Sequence, residues 1–304
     1  MTSLVEEATG TYTPVALDGL VGGEPLEFPL FLRSSTGLPV LYRDERTVLT
    51  DVHLARLQTE GVQALYVREQ DLSAYHRRVE RELDRLLRNA AVPLEHRVGV
   101  LCGVAGQVAQ DLLEGPPSRA QVQRAQRMLA ATSALVLRDK KAFSAVRSVL
   151  QARPDLAHHS MVTSFVTLGL ARQVVGSDPV VLTHAGLAGL LHDVGRVGHE
   201  DDVEDEEHVR RGLDRLATAD LPRPVLDAVL CHHERLDGSG FPRGLRGPSI
   251  PLLARMLGLV DTFATIYAEQ KPRVGVFDAL RIIAEVYRGC FDEQIAVALV
   301  HQFR

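Results

Sequence analysis

The sequence predicts an α+β protein in two parts, a small N-terminal α+β module followed by an all-α bundle. Three observations carry this. Strand-like segments are confined to the first ~70 residues, apolar residues recur at helical spacing from Asp71 onward, and the later breaks are short and marked by glycine and proline. With 304 residues, 45% of them hydrophobic, the chain can bury one large core and one small one. The divisions read as 1–70 for the module, 71–115 for a helical connector and 116–304 for the bundle.

In the module, Phe28-Pro-Leu-Phe-Leu-Arg33 and Leu38-Pro-Val-Leu-Tyr-Arg43 flank Ser-Ser-Thr-Gly, which predicts a hairpin. A helix should follow, capped by Thr50 or Asp51, with Leu54 and Leu57 on its apolar face and Gly61 at its end. Val62 to Val67 then reads as a strand. From Asp71 to Asn89, Tyr75, Val79, Leu83 and Leu86 or Leu87 repeat at helical spacing among arginines and glutamates. Such a helix packs within its own chain or pairs with a second copy in a homodimer. After Pro93 the chain reads as helices interrupted at Gly115-Pro-Pro, Arg153-Pro-Asp, Gly176-Ser-Asp-Pro and Leu221-Pro-Arg-Pro.

Composition narrows the function classes. Cys102, Cys231 and Cys290 form no CxxC pair and are odd in number, and the first ten residues lack the basic-then-apolar pattern of an export signal, so a cytoplasmic setting is expected. No run approaches the ~20 apolar residues of a membrane span. A net charge of −5 without a basic cluster argues against a nucleic-acid polymer as partner. The eight residues Glu200 to Glu207 include seven acids, which read as a solvated loop or helix start.

The chemistry concentrates in His159, the pair His192-Asp193, His208, the doublet His232-His233 and Asp261. Neutral imidazoles and carboxylates bind the metals that activate water, and a carboxylate directly after a histidine can bridge two ions. His192-Asp193 closes the apolar run Val180 to Leu191, so the pair should lie at the end of a buried helix. Single histidines there are more often satisfied core residues, but the accumulation of five with two carboxylates favours metal. Adjacent helical side chains diverge by ~100°, so His232 and His233 converge only beside a helix end. The turn Asp237-Gly-Ser-Gly-Phe-Pro242 supplies one.

The order His159, His192-Asp193-Val-Gly-Arg196, His208, His232-His233-Glu234, Asp237-Gly-Ser-Gly-Phe-Pro242 and Asp261 resembles the HD-GYP family of metal-dependent phosphodiesterases, over roughly Pro154 to the C-terminus. The resemblance implies an HD-type helical bundle holding two divalent ions, iron or manganese, with cyclic di-GMP or a related cyclic dinucleotide as substrate. One ion would take His159, His192, Asp193 and Asp261; the other would take Asp193, His208, His232 and His233, with Asp193 as the bridge. Asp155, one turn before His159, matches the place of a third-metal ligand in some members, but also suits an N-terminal helix charge. His158 competes with His159; alignment on the following apolar positions favours His159.

Asp193 and Arg196 are the expected catalytic pair, and Arg196, Lys271 and Arg273 are the candidates for binding substrate phosphates. For Lys271 and Arg273 an ordinary exposed loop is the competing reading. Phe241 stands where the signature has tyrosine, and only 14 residues separate Asp193 from His208, a shorter and more acidic link than the family commonly has. The leading expectation is hydrolysis of a cyclic dinucleotide by metal-activated water. A metal-binding receptor or scaffold with little turnover, engaging a signalling protein through the module or the Gly240-Phe241-Pro242 turn, is the alternative. A hydrolase of mononucleotides is a third reading.

Overall fold

The computed structural model describes residues 11–17, 20, 22–139, 141–142, 145, 155–199, 206–269 and 275–303. The chain divides into two compact units, Met1–Val104 and Ala105–Arg304. Lys271, Arg273 and most of the acidic run before His208 lie outside the described residues.

The first unit contains four antiparallel strands, β1 (Tyr12–Ala16), β2 (Leu30–Arg33), β3 (Pro39–Arg43) and β4 (Ala64–Arg68), in the spatial order β1-β4-β2-β3. The predicted hairpin is β2–β3, closed by the Ser34 N–H on the Leu38 carbonyl at 2.9 Å, with Gly37 at φ 82°. Helix α1 (Asp51–Thr59) is capped by Thr50, whose hydroxyl accepts from the His53 N–H. At its other end Gly61, at φ 77°, donates to Gln58 and Val62 donates to Leu57. Val62 is spent on that cap, so β4 begins at Ala64, two residues later than the sequence suggests. Strand β1 was not anticipated because Pro14 sits within it. As an edge strand it tolerates the missing N–H.

Helix α2 (Leu72–Arg88), anticipated as a connector, packs into this first unit. Its apolar stripe, Tyr75, Val79, Leu83, Leu86 and Leu87, is buried in the unit whose core includes Phe28, Leu30 and Leu65. Arg78 on the same helix donates to the Pro25 and Glu24 carbonyls at 2.7 and 3.2 Å. Within-chain packing thus accounts for the amphipathic pattern. Helix α3 (Leu94–Leu113) starts in the first unit and ends in the second.

Among its described residues the second unit carries the helices α4 (Arg119–Arg138), α5 (Leu156–Val174), α6 (Pro179–Leu191), α7 (His208–Arg215), α8 (Arg223–Cys231), α9 (Leu252–Glu269), α10 (Val276–Val286) and α11 (Glu293–Gln302), joined by turns and without a strand. Helix α6 starts at a cap made by Asp178, with Pro179 in the first turn, as the predicted break requires. It is apolar on every side and packs on α4, α5, α8 and α9. Gly189 lets α5 approach: a Cβ there would lie 2.5 Å from the Ser164 Cα. Among the described residues no helix is long and apolar enough to cross a membrane.

Candidate metal centre

Helix α6 delivers His192 and Asp193 from its C-terminal end into the interior, where both are buried. His159 comes from the first turn of α5, Asp261 from the middle of α9, His208 from the first residue of α7, and His232 and His233 from just beyond α8. Two groups of ligand atoms result, each within 4.8 Å: His159, His192, Asp193 and Asp261, and Asp193, His208, His232 and His233. Seven side chains from five separate stretches of sequence meet at one place.

Asp193 belongs to both groups and divides its oxygens between them. Its Oδ2 lies 3.4 Å from His192 Nε2 and 3.9 Å from His159 Nε2, while Oδ1 lies 3.3 Å from His208 Nε2 and 3.8 Å from His232 Nε2. On the first side, Asp261 Oδ1 is 3.1 Å from His159 Nε2 and 3.4 Å from His192 Nε2. The tautomers are set from behind. His192 Nδ1–H donates to the Gly189 carbonyl at 2.9 Å and His232 Nδ1–H to the Val229 carbonyl at 2.8 Å, which leaves each Nε2 lone pair facing the cluster.

Such convergence of lone pairs calls for a cation. His159 Nε2 and His192 Nε2 approach to 3.2 Å beside two carboxylates, and His233 Nε2 is buried without a hydrogen-bond partner. Burial lowers the His192 pKa, but the charges of Asp193 and Asp261 outweigh it and lift the group to about 9. In the second group burial dominates, holding His232 well below its ordinary value and His233 at about 3, so both rings are neutral donors. Imidazole nitrogen and carboxylate oxygen without thiolate suit a divalent metal ion.

The sequence did not reveal how closely the backbone must pack for these ligands to meet. A Cβ on Gly195 would collide with the His208 carbonyl and lie 2.5 Å from the Gly212 nitrogen. One on Gly240 would strike the His233 carbonyl, and one on Gly258 the His232 carbonyl. Three glycines therefore sit where ligand-bearing turns touch their neighbours. Glu234 was quoted only as part of a motif, yet it is buried, and its two oxygens accept the N–H groups of Arg243 and Leu245 at 2.8 Å each. It ties the Asp237–Pro242 turn beneath the doublet. Phe241 stacks on His233 with ring centres 4.6 Å apart and packs against the cluster of Val209, Leu230, Cys231, Ile250 and Ala254.

Other sequence candidates fall differently. The choice of His159 over His158 agrees with the geometry, since only His159 joins a ligand group. Asp155 is the exposed N-cap of α5, its carboxylate accepting from the His158 N–H at 2.8 Å, and it lies in neither group; the helix-start reading describes it. Arg196 donates from Nε to Asp193 Oδ1 at 3.1 Å, so its guanidinium already engages the shared carboxylate. His184 and His199, which the sequence marks as structural or solvent-exposed histidines, stand in neither group.

Comparison with known proteins agrees with this architecture. Residues 173–295 match the HD domain family. A cyclic di-GMP phosphodiesterase of Pseudomonas aeruginosa is 33% identical over 184 residues, covering 55% of this chain and 44% of that protein. A cyclic di-GMP phosphodiesterase response regulator of Xanthomonas campestris is 28% identical over 192 residues, 58% of this chain and 51% of its own. A 3′3′-cGAMP-specific phosphodiesterase of Vibrio cholerae is 29% identical over 161 residues, 48% and 35% respectively. The matched region thus spans about half or less of each relative. In fold, a HDG"Y"P protein from Bdellovibrio bacteriovorus superposes with TM-score 0.68 at 17% identity, covering 95% of this chain and 98% of that one. Residues 173–295 accordingly match an HD domain, and the helical unit is similar in fold to an HD-GYP protein, with Gly-Phe-Pro where the signature has Gly-Tyr-Pro.

Proposed function

We propose that the chain is a metal-dependent phosphodiesterase that hydrolyses a cyclic dinucleotide, cyclic di-GMP first among them, to a linear dinucleotide or mononucleotide. The observation that carries this reading is the single carboxylate of Asp193 turned with one oxygen to each of two ligand groups. The names of the relatives support the substrate class. Two divalent ions, iron or manganese, would be held by His159, His192, Asp193 and Asp261 on one side and by Asp193, His208, His232 and His233 on the other. When bound, a metal pair lowers the pKa of water towards neutrality and offsets charge on a phosphate.

The side chains do the rest. Asp193 is shared by the two groups, the carbonyls of Gly189 and Val229 hold two imidazoles in the ligating tautomer, and Arg196 donates to Oδ1 of the shared carboxylate. Arg196, with Lys271 and Arg273, is the candidate to receive substrate phosphates by charge-assisted hydrogen bonds. Anaerobic loading with iron or manganese, followed by incubation with cyclic di-GMP and with cyclic GMP-AMP, tests the reading. The expected outcome is linear dinucleotide or mononucleotide; intact substrate in both reactions overturns it.

A second reading has its own observation. Phe241 packs in a largely apolar cluster and offers no hydroxyl where the signature tyrosine has one. A metal-holding receptor, docking a signalling protein through the first unit or the Gly240–Pro242 turn, as monomer or homodimer in the cytoplasm, would fit that change. Calorimetric binding of the nucleotide without turnover favours this second reading.

A further inference from the structure

We propose that Arg235 is a positioning residue that locks the turn bearing His232 and His233 against the helix bearing Asp261, and so sets the spacing of the two ligand groups. This rests on the metal-centre reading above. Helix α8 ends at Cys231, so the turn that follows needs donors from outside the helix. Arg235 supplies them. Its Nη1 donates to the His232 carbonyl at 3.0 Å and the Glu234 carbonyl at 3.2 Å, the two carbonyls flanking His233 in sequence.

The same guanidinium reaches two other segments. Its Nη2 lies 3.5 Å from the hydroxyl oxygen of Thr262, next to Asp261 on α9. That hydroxyl gives its own proton to the Gly258 carbonyl at 2.8 Å, which leaves a lone pair for Arg235. The plane of the guanidinium lies over the Phe291 ring, 4.8 Å from its centre, and the neighbouring Leu236 N–H donates to the Cys290 carbonyl at 2.9 Å. Gly258 completes the contact, because any side chain there would meet the His232 carbonyl. One planar cation therefore joins the turn of the doublet, the helix of Asp261 and the 290–291 segment. An ammonium has no fixed fork with which to hold all of these at once.

Arg255 offers a control. It lies on α9 before Asp261, pairs with Asp292 at 2.7 Å and links α9 to the cap of α11, so it braces that helix without reaching the turn of His232 and His233 by this bond. Wild type, Arg235→Met, Arg235→Lys, Phe291→Leu and Arg255→Met would be loaded with Mn²⁺ alone, then followed by calorimetric titration and low-temperature electron paramagnetic resonance. Two adjacent Mn²⁺ ions give a coupled spectrum, whereas one gives isolated six-line features. Wild type is expected to hold two coupled ions. Arg235→Met should keep one and bind the second about 10- to 100-fold more weakly, the usual cost of removing a group that orients ligands. Arg235→Lys should fall between, Phe291→Leu should show a smaller loss, and Arg255→Met should melt earlier with its coupling intact.

A coupled spectrum and unchanged second affinity in Arg235→Met would overturn the proposal. So would loss of both ions together in that variant while Arg235→Lys and Phe291→Leu bind as wild type, because that pattern is general unfolding. Wild type that takes up no Mn²⁺ overturns the metal centre itself, and this inference with it.

Discussion

The two ligand groups share Asp193 and differ in almost everything else. The first sets two carboxylates beside two imidazoles, on α5, α6 and α9. The second has one carboxylate and three imidazoles, taken from the start of α7 and from the turn after α8. Charge would thus draw a cation to the first, where Asp193 and Asp261 lie beside His159 and His192, while in the second burial favours neutral rings at His232 and His233 and their backbone must be held in place. Like side chains can form unlike sites: the first would hold an ion through charge, the second through geometry. The first ion should therefore bind more tightly than the second.

Breaking the shared element has the largest expected effect. Asp193→Asn removes the shared carboxylate charge, leaving Asp261 alone in the first group and no carboxylate in the second, so metal analysis should find at most one weakly held ion per chain, and hydrolysis of a cyclic dinucleotide should fall at least about 100-fold. Separating the groups comes next. His208→Ala should leave one tightly held ion, whereas His159→Ala should weaken the tighter one; identical losses in the two variants would mean that the groups act as one site. A smaller, graded effect is expected from the backbone. Gly195→Ala forces a methyl against the His208 carbonyl, at a cost of about 1–3 kcal/mol for overpacking, and should loosen the second ion. Gly189→Ala, pressed on the Ser164 backbone, should cost about as much but affect the first. Thermal unfolding paired with metal titration separates these outcomes.

The difference between the groups also explains what could be read in the sequence. All seven members of the two groups were legible, because imidazole and carboxylate have few reasons to accumulate beside an apolar helix. The ends of α6 and α8 were legible too, from the runs leading into His192 and His232. The supports of the second group were not. Glu234 and Arg235 act through the backbone of the turn, and an exposed charge and a buried brace look alike in one sequence. Gly195, Gly240 and Gly258 mark close approaches between segments whose contact exists only in the fold. In the first unit the same limit hid β1, since a proline within a strand is decided by which edge the strand occupies.

Phe241 gives the smallest expected effect and the most direct probe of the second group. Its ring lies flat on His233, 4.6 Å away with planes 22° apart, and faces His208 edge-on at 6.3 Å. Part of it packs against Val209, Leu230, Cys231, Ile250 and Ala254, so its place is set by apolar contact. Phe241→Tyr keeps the ring and adds one hydroxyl, hence metal content should stay as it is and stability should shift by less than about 1.5 kcal/mol. The informative readout is KM for a cyclic dinucleotide. A lower KM with unchanged metal would mean that the hydroxyl position faces the substrate; loss of the second ion would mean that the ring's apolar seat, more than its stacking, holds His233 in line.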